Sequence, residues 1–169
     1  IDNFIHTYAG VELRLKMHEI MTKQGHEEET GKAKITSGYN LPAKYVLHTV
    51  GPIIQWKVTQ EDENLLASCY KECLKLAADT GVESIAFCCL STGVFRFPQQ
   101  RAAEIATETV MQFLKKDDRI KKVIFNVFKT NMNLGIISSI STVLSIITIK
   151  LYGKYSKNKS DKKALIISS

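Results

Sequence analysis

Ser91-Thr92-Gly93-Val94-Phe95-Arg96-Phe97 lies between a continuous apolar run and Pro98, which opens the next amphipathic stretch. That is the place of a strand-to-helix loop. Glycine lets the main chain come close to an anion, and successive N–H groups backed by a helix N-terminus hold phosphate oxygens. In open α/β sheets, ligands sit beyond the carboxyl ends of the strands, where such a loop lies. The same residues also suit an ordinary βα turn. At the other end of the chain, Asp2 and Asn3 stand at the start of a helical stretch, where either side chain is a good cap.

The remaining chemistry-bearing residues read as structure. Cys69 and Cys73 are four apart on a predicted helix, and Cys88 and Cys89 are adjacent in a predicted strand, where neighbouring side chains point to opposite faces. No Cys-x-x-Cys spacing occurs, so reduced, core-filling thiols in a cytoplasmic protein are expected. His18 and His26 have no cysteine nearby in sequence, and no metal site is expected within this chain. His48, inside an apolar strand, reads as a satisfied core histidine. Glu27, Glu28 and Glu29 read as a solvated acidic run, one of which could reach a ligand's sugar.

Helical spacing of apolar residues predicts helices over 3–23, 61–79 and 98–116, the last with proline in its first turn. β-Branched and aromatic runs predict strands over 33–39, 45–50, 84–90 and 122–128, with Leu41-Pro42 turning between the first two. The 84–90 run is apolar without alternation, the mark of a strand covered on both faces. Strands alternating with long helices imply an α/β fold, a three-layer α/β/α sandwich with a largely parallel sheet.

With 169 residues and 44% hydrophobic content, one ordinary domain with a sizeable core is expected. The net charge of +6 does not describe that domain, because residues 1–129 are close to balanced and the excess lies in the lysine-rich tail. A basic tail is weaker evidence for nucleic acid than a basic face, and no nucleic-acid partner is expected. From Thr130 the character changes: residues 134–149 are apolar but rich in Ser and Thr, then 150–163 are rich in lysine. Sixteen residues with several hydroxyls are short and poorly apolar for a membrane span. A docked segment and an aberrant tail are the other readings.

Three stretches together resemble the macrodomain family of ADP-ribose-binding modules: Ile1-Asp-Asn-Phe-Ile-His-Thr-Tyr-Ala-Gly10, the block from Gly31 through Tyr45-Val-Leu-His-Thr-Val-Gly-Pro52, and Leu90-Ser-Thr-Gly-Val-Phe-Arg-Phe-Pro98. More narrowly, Ile-Asp-Asn-Phe-Ile-His, Gln-Gly-His-Glu-Glu and Gly-Lys-Ala-Lys-Ile-Thr resemble the zinc-containing bacterial branch that hydrolyses ADP-ribose from modified proteins. The resemblance implies that the Ser91, Thr92, Gly93, Val94, Phe95, Arg96 and Phe97 loop clamps the diphosphate, with Phe95 and Phe97 walling the distal ribose. It implies that Asn126 and Phe128 contact or stack on adenine. Asp2 falls on an aspartate that positions or activates water, with Asn3 beside it, and His6 on a histidine read here as structural.

Zinc is implied for the intact family member, with a Cys/His/Cys ligand cluster just ahead of the Ile1-Asp-Asn turn and therefore outside this chain. The family's first strands are also expected upstream, so 1–129 reads as a partial macrodomain with an open sheet edge, and 130–169 as an atypical tail. The resemblance further implies an ADP-ribosylated protein as partner and a sirtuin-type ADP-ribosyltransferase system alongside, with the chain itself a monomer. A non-catalytic ADP-ribose reader and an inactive fragment are the alternatives.

Overall fold

The computed structural model describes residues 2–127 and, as backbone, 163–168. Phe128, the apolar run 134–149 and the lysine-rich stretch through residue 162 lie outside the described residues. In chain order the elements are α1 (Asp2–Ala9), α2 (Val11–Gln24), β1 (Ala33–Ser37), β2 (Tyr45–Thr49), α3 (Gln60–Asp79), β3 (Ser84–Phe87), α4 (Gln99–Leu114), β4 (Lys122–Phe125) and β5 (Lys163–Ser168).

The sheet runs β1-β2-β5-β3-β4. β1 and β2 form an antiparallel pair, while β5 lies parallel to β2 on one side and to β3 on the other, and β4 is parallel to β3. The expected open edge is therefore absent between β2 and β3. A strand from the far end of the chain takes the gap, because the unpaired N–H and C=O groups of two buried strands are costly to leave unmade.

Helices cover both faces. Leu47 of β2 and Ile85 and Phe87 of β3 pack with Leu66, Tyr70, Cys73 and Leu74 of α3 and Ala102, Ile105 and Ala106 of α4. Tyr70, Phe87 and Phe125 form an aromatic cluster, the first two with centroids 4.9 Å apart. Val46, one residue on from Tyr45 and facing the other way from Leu47, packs instead with Ile5, Ala9 and Leu13 of α1 and α2. The three-layer α/β/α expectation is met.

Burial pushes the Cys69 and Cys73 thiols above their ordinary range, as suits core-filling residues. No disulfide joins the four cysteines. Among the described residues, no helix is long and apolar enough to cross a membrane.

The helix expected over 3–23 is two helices. Its apolar pattern continues through Gly10, but Gly10 adopts φ 90°, which ends α1 and starts α2. A side chain there would press on the Asn40 amide, 2.8 Å from a built Cβ. The helix expected from residue 61 begins at Gln60, because Thr59 closes a reciprocal cap with Asp62: the Asp62 amide donates to Thr59 Oγ1 (3.2 Å), and the Thr59 amide donates to Asp62 Oδ2 (2.8 Å). Arg101 of α4 then ties α3 to α4 through a two-pronged pair with Glu63, both contacts at 2.7 Å. That guanidinium holds the Glu63 carboxyl below its usual range.

His48 of β2 is 8% exposed, and its Nε2 lies 2.9 Å from Thr36 Oγ1 on β1. Burial, with the His6 ring 6.2 Å away as the lesser cause, holds its pKa down at about 4. It is the satisfied core histidine that its surroundings in sequence suggest. Because the folded state keeps His48 neutral while the unfolded chain protonates near 6.5, stability is complete above that pH. Urea unfolding at stepped pH should therefore show a loss approaching about 3 kcal/mol between pH 6.5 and 4. His48→Gln should flatten that slope. Separately, Thr59→Ala should cost about 1 kcal/mol in the same assay at pH 7, the usual worth of such a cap.

Candidate functional site

Two loops leave the carboxyl ends of β2 and β3 and meet. The strand expected to run to Leu90 ends at Phe87, and the chain then turns through Ser91, whose φ of 58° is unusual for a residue with a side chain. The loop is closed on itself by the Phe97 amide donating to the Ser91 carbonyl (2.9 Å) and the Arg96 amide donating to the Gly93 carbonyl (3.1 Å). Arg96 also takes a left-handed φ of 58°. Within this frame the amides of Thr92, Gly93, Val94 and Phe95 donate to no carbonyl or side chain among the described residues. Four consecutive unspent donors make an anion-binding concavity.

Ser91 is 4% exposed, and its Oγ, fully buried, has no hydrogen-bond partner among the described residues. Across from it lies Gly51. A Cβ on Gly51 would overlap Ser91 Oγ, so glycine here is a requirement of close approach rather than of backbone angle. The Ile54 amide donates to the Phe95 carbonyl at 2.9 Å, which pins the β2 loop to the β3 loop. Gly51 and Ile54 were not singled out in the sequence, although the Gly-Pro pair ending a strand was the available signal.

The seven loop residues are not equivalent. Thr92 and Phe95 are half-buried, while Gly93, Val94 and Arg96 are exposed. Phe97 is 1% exposed and belongs to the core with Leu90 and Ala102. As placed, Phe97 props the loop from beneath and presents no surface to a sugar. Val94 and Arg96 join Ile53, Ile54, Gln55 and Trp56 around a cavity of about 520 Å³, with Trp56 95% exposed.

Asp2 lies in the first turn of α1. Its Oδ1 is 3.7 Å from His6 Nε2, and His6 in turn stands over His48. The far nitrogen of His6, Nδ1, is buried without a partner among the described residues. Asn3 is exposed, and its carbonyl accepts from Thr7 Oγ1 (2.7 Å). No described contact joins Asp2 or Asn3 to the 91–97 loop. They stand on different elements, with α1 packed on β5.

Asn126 follows β4, exposed, with its amide donating to the Phe87 carbonyl at 2.7 Å. That bond holds it beside the end of β3. Of the acidic run, Glu28 is engaged by Lys34 at 2.7 Å, and His18 and His26 are exposed. Among the described residues, no group of three or more His, Cys, Asp or Glu is arranged to hold a metal ion. The zinc implied by the sequence resemblance thus has no matching ligand set in the residues described.

Main-chain donors arranged in this way could hold an anion. The chain matches the Macro domain family over residues 1–106. It is 62% identical over 128 residues to a protein-ADP-ribose hydrolase of Treponema medium, covering 76% of this chain and 49% of that protein. It is 58% identical over 129 residues to a protein-ADP-ribose hydrolase of Staphylococcus aureus strain MRSA252, covering 76% of this chain and 48% of that one. The chain spans about half the length of these curated relatives. Among solved structures, the Oceanobacillus iheyensis macrodomain with ADP superposes with a TM-score of 0.72 at 36% identity, covering 88% of this chain and 76% of that chain. A Trypanosoma brucei macrodomain in complex with ADP gives 0.64 at 37%, covering 76% and 51%. With the family matched over most of the chain and the fold shared at this identity, the chain belongs to the Macro domain family.

Proposed function

We propose that this chain is the ADP-ribose-binding part of a protein-ADP-ribose hydrolase. The observation that carries the reading is the row of four unspent amides at 92–95, in a chain 62% identical to a hydrolase of that name. The diphosphate sits against Thr92, Gly93, Val94 and Phe95, whose N–H groups offer a ready-made shell that costs no rearrangement. Arg96 adds a positive charge at the rim. Asn126, beside the end of β3, and Phe128 hold the adenine side, and Phe95, half-buried, walls the distal ribose.

In the hydrolysis the bond between the anomeric carbon of the distal ribose and the protein side chain breaks. Water supplies the oxygen that replaces the side chain at that carbon; one of its protons stays on the new hydroxyl and the other passes to the leaving side chain. Asp2, a carboxylate beside an imidazole, is the group proposed to orient that water, with Asn3 next to it on the same turn. Metal chemistry finds no ligand set among the described residues, and no step runs through it. A zinc-containing branch would require ligands from residues other than these. The same proposal takes an ADP-ribosylated protein, made by a sirtuin-type ADP-ribosyltransferase, as partner. It places a monomeric chain in the cytoplasm, which the thiols of Cys69, Cys73, Cys88 and Cys89, none in a disulfide, support.

Calorimetric titration of ADP-ribose into the chain should give binding in the micromolar range. Gly51→Ala should weaken it at least tenfold, because the added methyl drives into Ser91 and displaces the loop whose amides do the binding. Asp2→Ala should leave that affinity within about threefold while lowering release of ADP-ribose from a modified protein by 10² or more, the scale of a lost acid–base group. Binding with no release by the parent chain would instead make it a reader. A folded chain that binds nothing would refute the assignment of the 92–95 amides.

A further inference from the structure

The cleft beside the 91–97 loop is a surface that the anion site leaves unused. Ile53, Ile54, Trp56 and Val94 give it apolar walls, and Gln55 and Arg96 are its polar lining. Trp56 is 95% exposed, Val94 90% and Ile53 60%. Large apolar side chains left in water at one place mark a surface that another molecule covers. A sugar diphosphate is not that molecule. Its hydroxyls and phosphates need more hydrogen-bond partners than one side-chain amide and one guanidinium supply.

The cleft and the amide row share residues. The Val94 amide is one of the four unspent donors at 92–95, while Val94 also lines the cleft. Ile54, on the opposite wall, donates its amide to the Phe95 carbonyl at 2.9 Å, so both walls belong to one frame. A ligand with phosphates on the row therefore has the cleft as its immediate neighbour. Charge adds an independent constraint. Residues 53–58 and 91–98 contain Lys57 and Arg96 but no Asp or Glu. Both cations are exposed, and neither side chain forms an ion pair among the described residues.

We propose that this cleft receives the stretch of polypeptide flanking the ADP-ribosylated residue. An apolar side chain of that stretch packs on Trp56, Ile53 and Val94, and an acidic one beside it meets Arg96 and Lys57. Trp56 is then a specificity-determining residue, since a large aromatic side chain anchors contacts of this kind while charges at the rim select the partner. The inference rests on the ADP-ribose reading of the 92–95 amides. It adds to that reading which modified proteins the site prefers.

The test uses the full chain and two short peptides, each carrying ADP-ribose on its central side chain through a linkage that water does not cleave. One has leucine and glutamate beside the modified residue, and the other has glycine and lysine in their place. Trp56 is the only tryptophan in the chain, so its emission reports on the cleft. The leucine–glutamate peptide should bind at least tenfold more tightly than either ADP-ribose or the glycine–lysine peptide. It should also shift the tryptophan emission to shorter wavelength, whereas ADP-ribose should leave that emission in place.

Trp56→Ala should bring the leucine–glutamate peptide down to the affinity of ADP-ribose, with ADP-ribose itself bound within about twofold of the parent. Trp56→Phe should restore most of the peptide's advantage. Because the Trp56 side chain is almost wholly in water, neither change threatens the fold. Equal affinities for the two peptides would overturn the proposal, as would a Trp56→Ala variant that loses ADP-ribose and peptide alike. ADP-ribose binding to which the peptide adds nothing would sink this inference alone. Failure of ADP-ribose to bind the folded parent would sink the functional reading and this inference with it.

Discussion

Every feature of the site hangs on main-chain pairing in the middle of the sheet. β2 is buried at Val46, Leu47, His48 and Thr49, and β3 at Ser84, Ile85 and Phe87. Strands buried on both faces have no water to satisfy their amides and carbonyls, so each inner edge must find a strand. β5 satisfies both edges at once. Beyond the strand ends, Gly51 lies against Ser91 and the Ile54 amide bonds the Phe95 carbonyl. Side-chain packing joins the same elements, since Leu47, Ile54, Leu90 and Phe97 share one core. The aromatic cluster of Tyr70, Phe87 and Phe125 steadies one face of β3, but β2 reaches the same core only through Leu47 and its neighbours.

Much of this was legible from residue patterns. The helix at Gln60–Asp79 shows its apolar stripe at Leu66, Cys69, Tyr70, Cys73 and Leu74, and the buried strand at Ser84–Phe87 shows as an unbroken apolar run. The Ser91-Thr92-Gly93 loop announced itself by position, between that run and Pro98. What could not be read was governed by contacts distant in sequence or by single backbone angles. Gly10 looks like any residue of a helical stretch until its φ of 90° divides it. β3 stops at Phe87, and the turn that follows passes through Ser91 at a φ of 58°. Phe97 was indistinguishable from Phe95 as a pocket wall. The Phe97 amide bond back to Ser91 turns its ring into the core, where 1% remains exposed. The insertion of Lys163–Ser168 between β2 and β3 left no local trace, since its pairing partners are more than a hundred residues away for β2 and some eighty for β3.

The loops and α1 divide the work by kind of group. At 91–97 the available donors are main-chain amides, whose geometry is set by covalent structure and two left-handed residues, so the loop needs no charged side chain to define an anion site. Around Asp2 the available groups are ionisable, and their behaviour depends on burial. His48 is held neutral by the sheet and by α1 above it, so His6 faces an uncharged neighbour. His48 thus bonds Thr36 within the sheet, while His6 lies 3.7 Å from the Asp2 carboxylate on α1.

The same division bears on how so near-neutral a domain would take the doubly charged ligand of the proposed function. The excess positive charge of the chain lies in the tail, and within 91–97 only Arg96 is cationic. Long-range attraction from side chains is therefore weak, and recognition falls to short-range donors that are already unpaired. Such donors are costly to bury empty and gain most when an anion arrives. The amides at 92–95 lie on exposed or half-buried residues, so folding does not seal them from solvent, and their frame is fixed by Phe97 beneath and Ile54 beside. In the proposed function, affinity would depend less on total charge than on the rigidity of that frame.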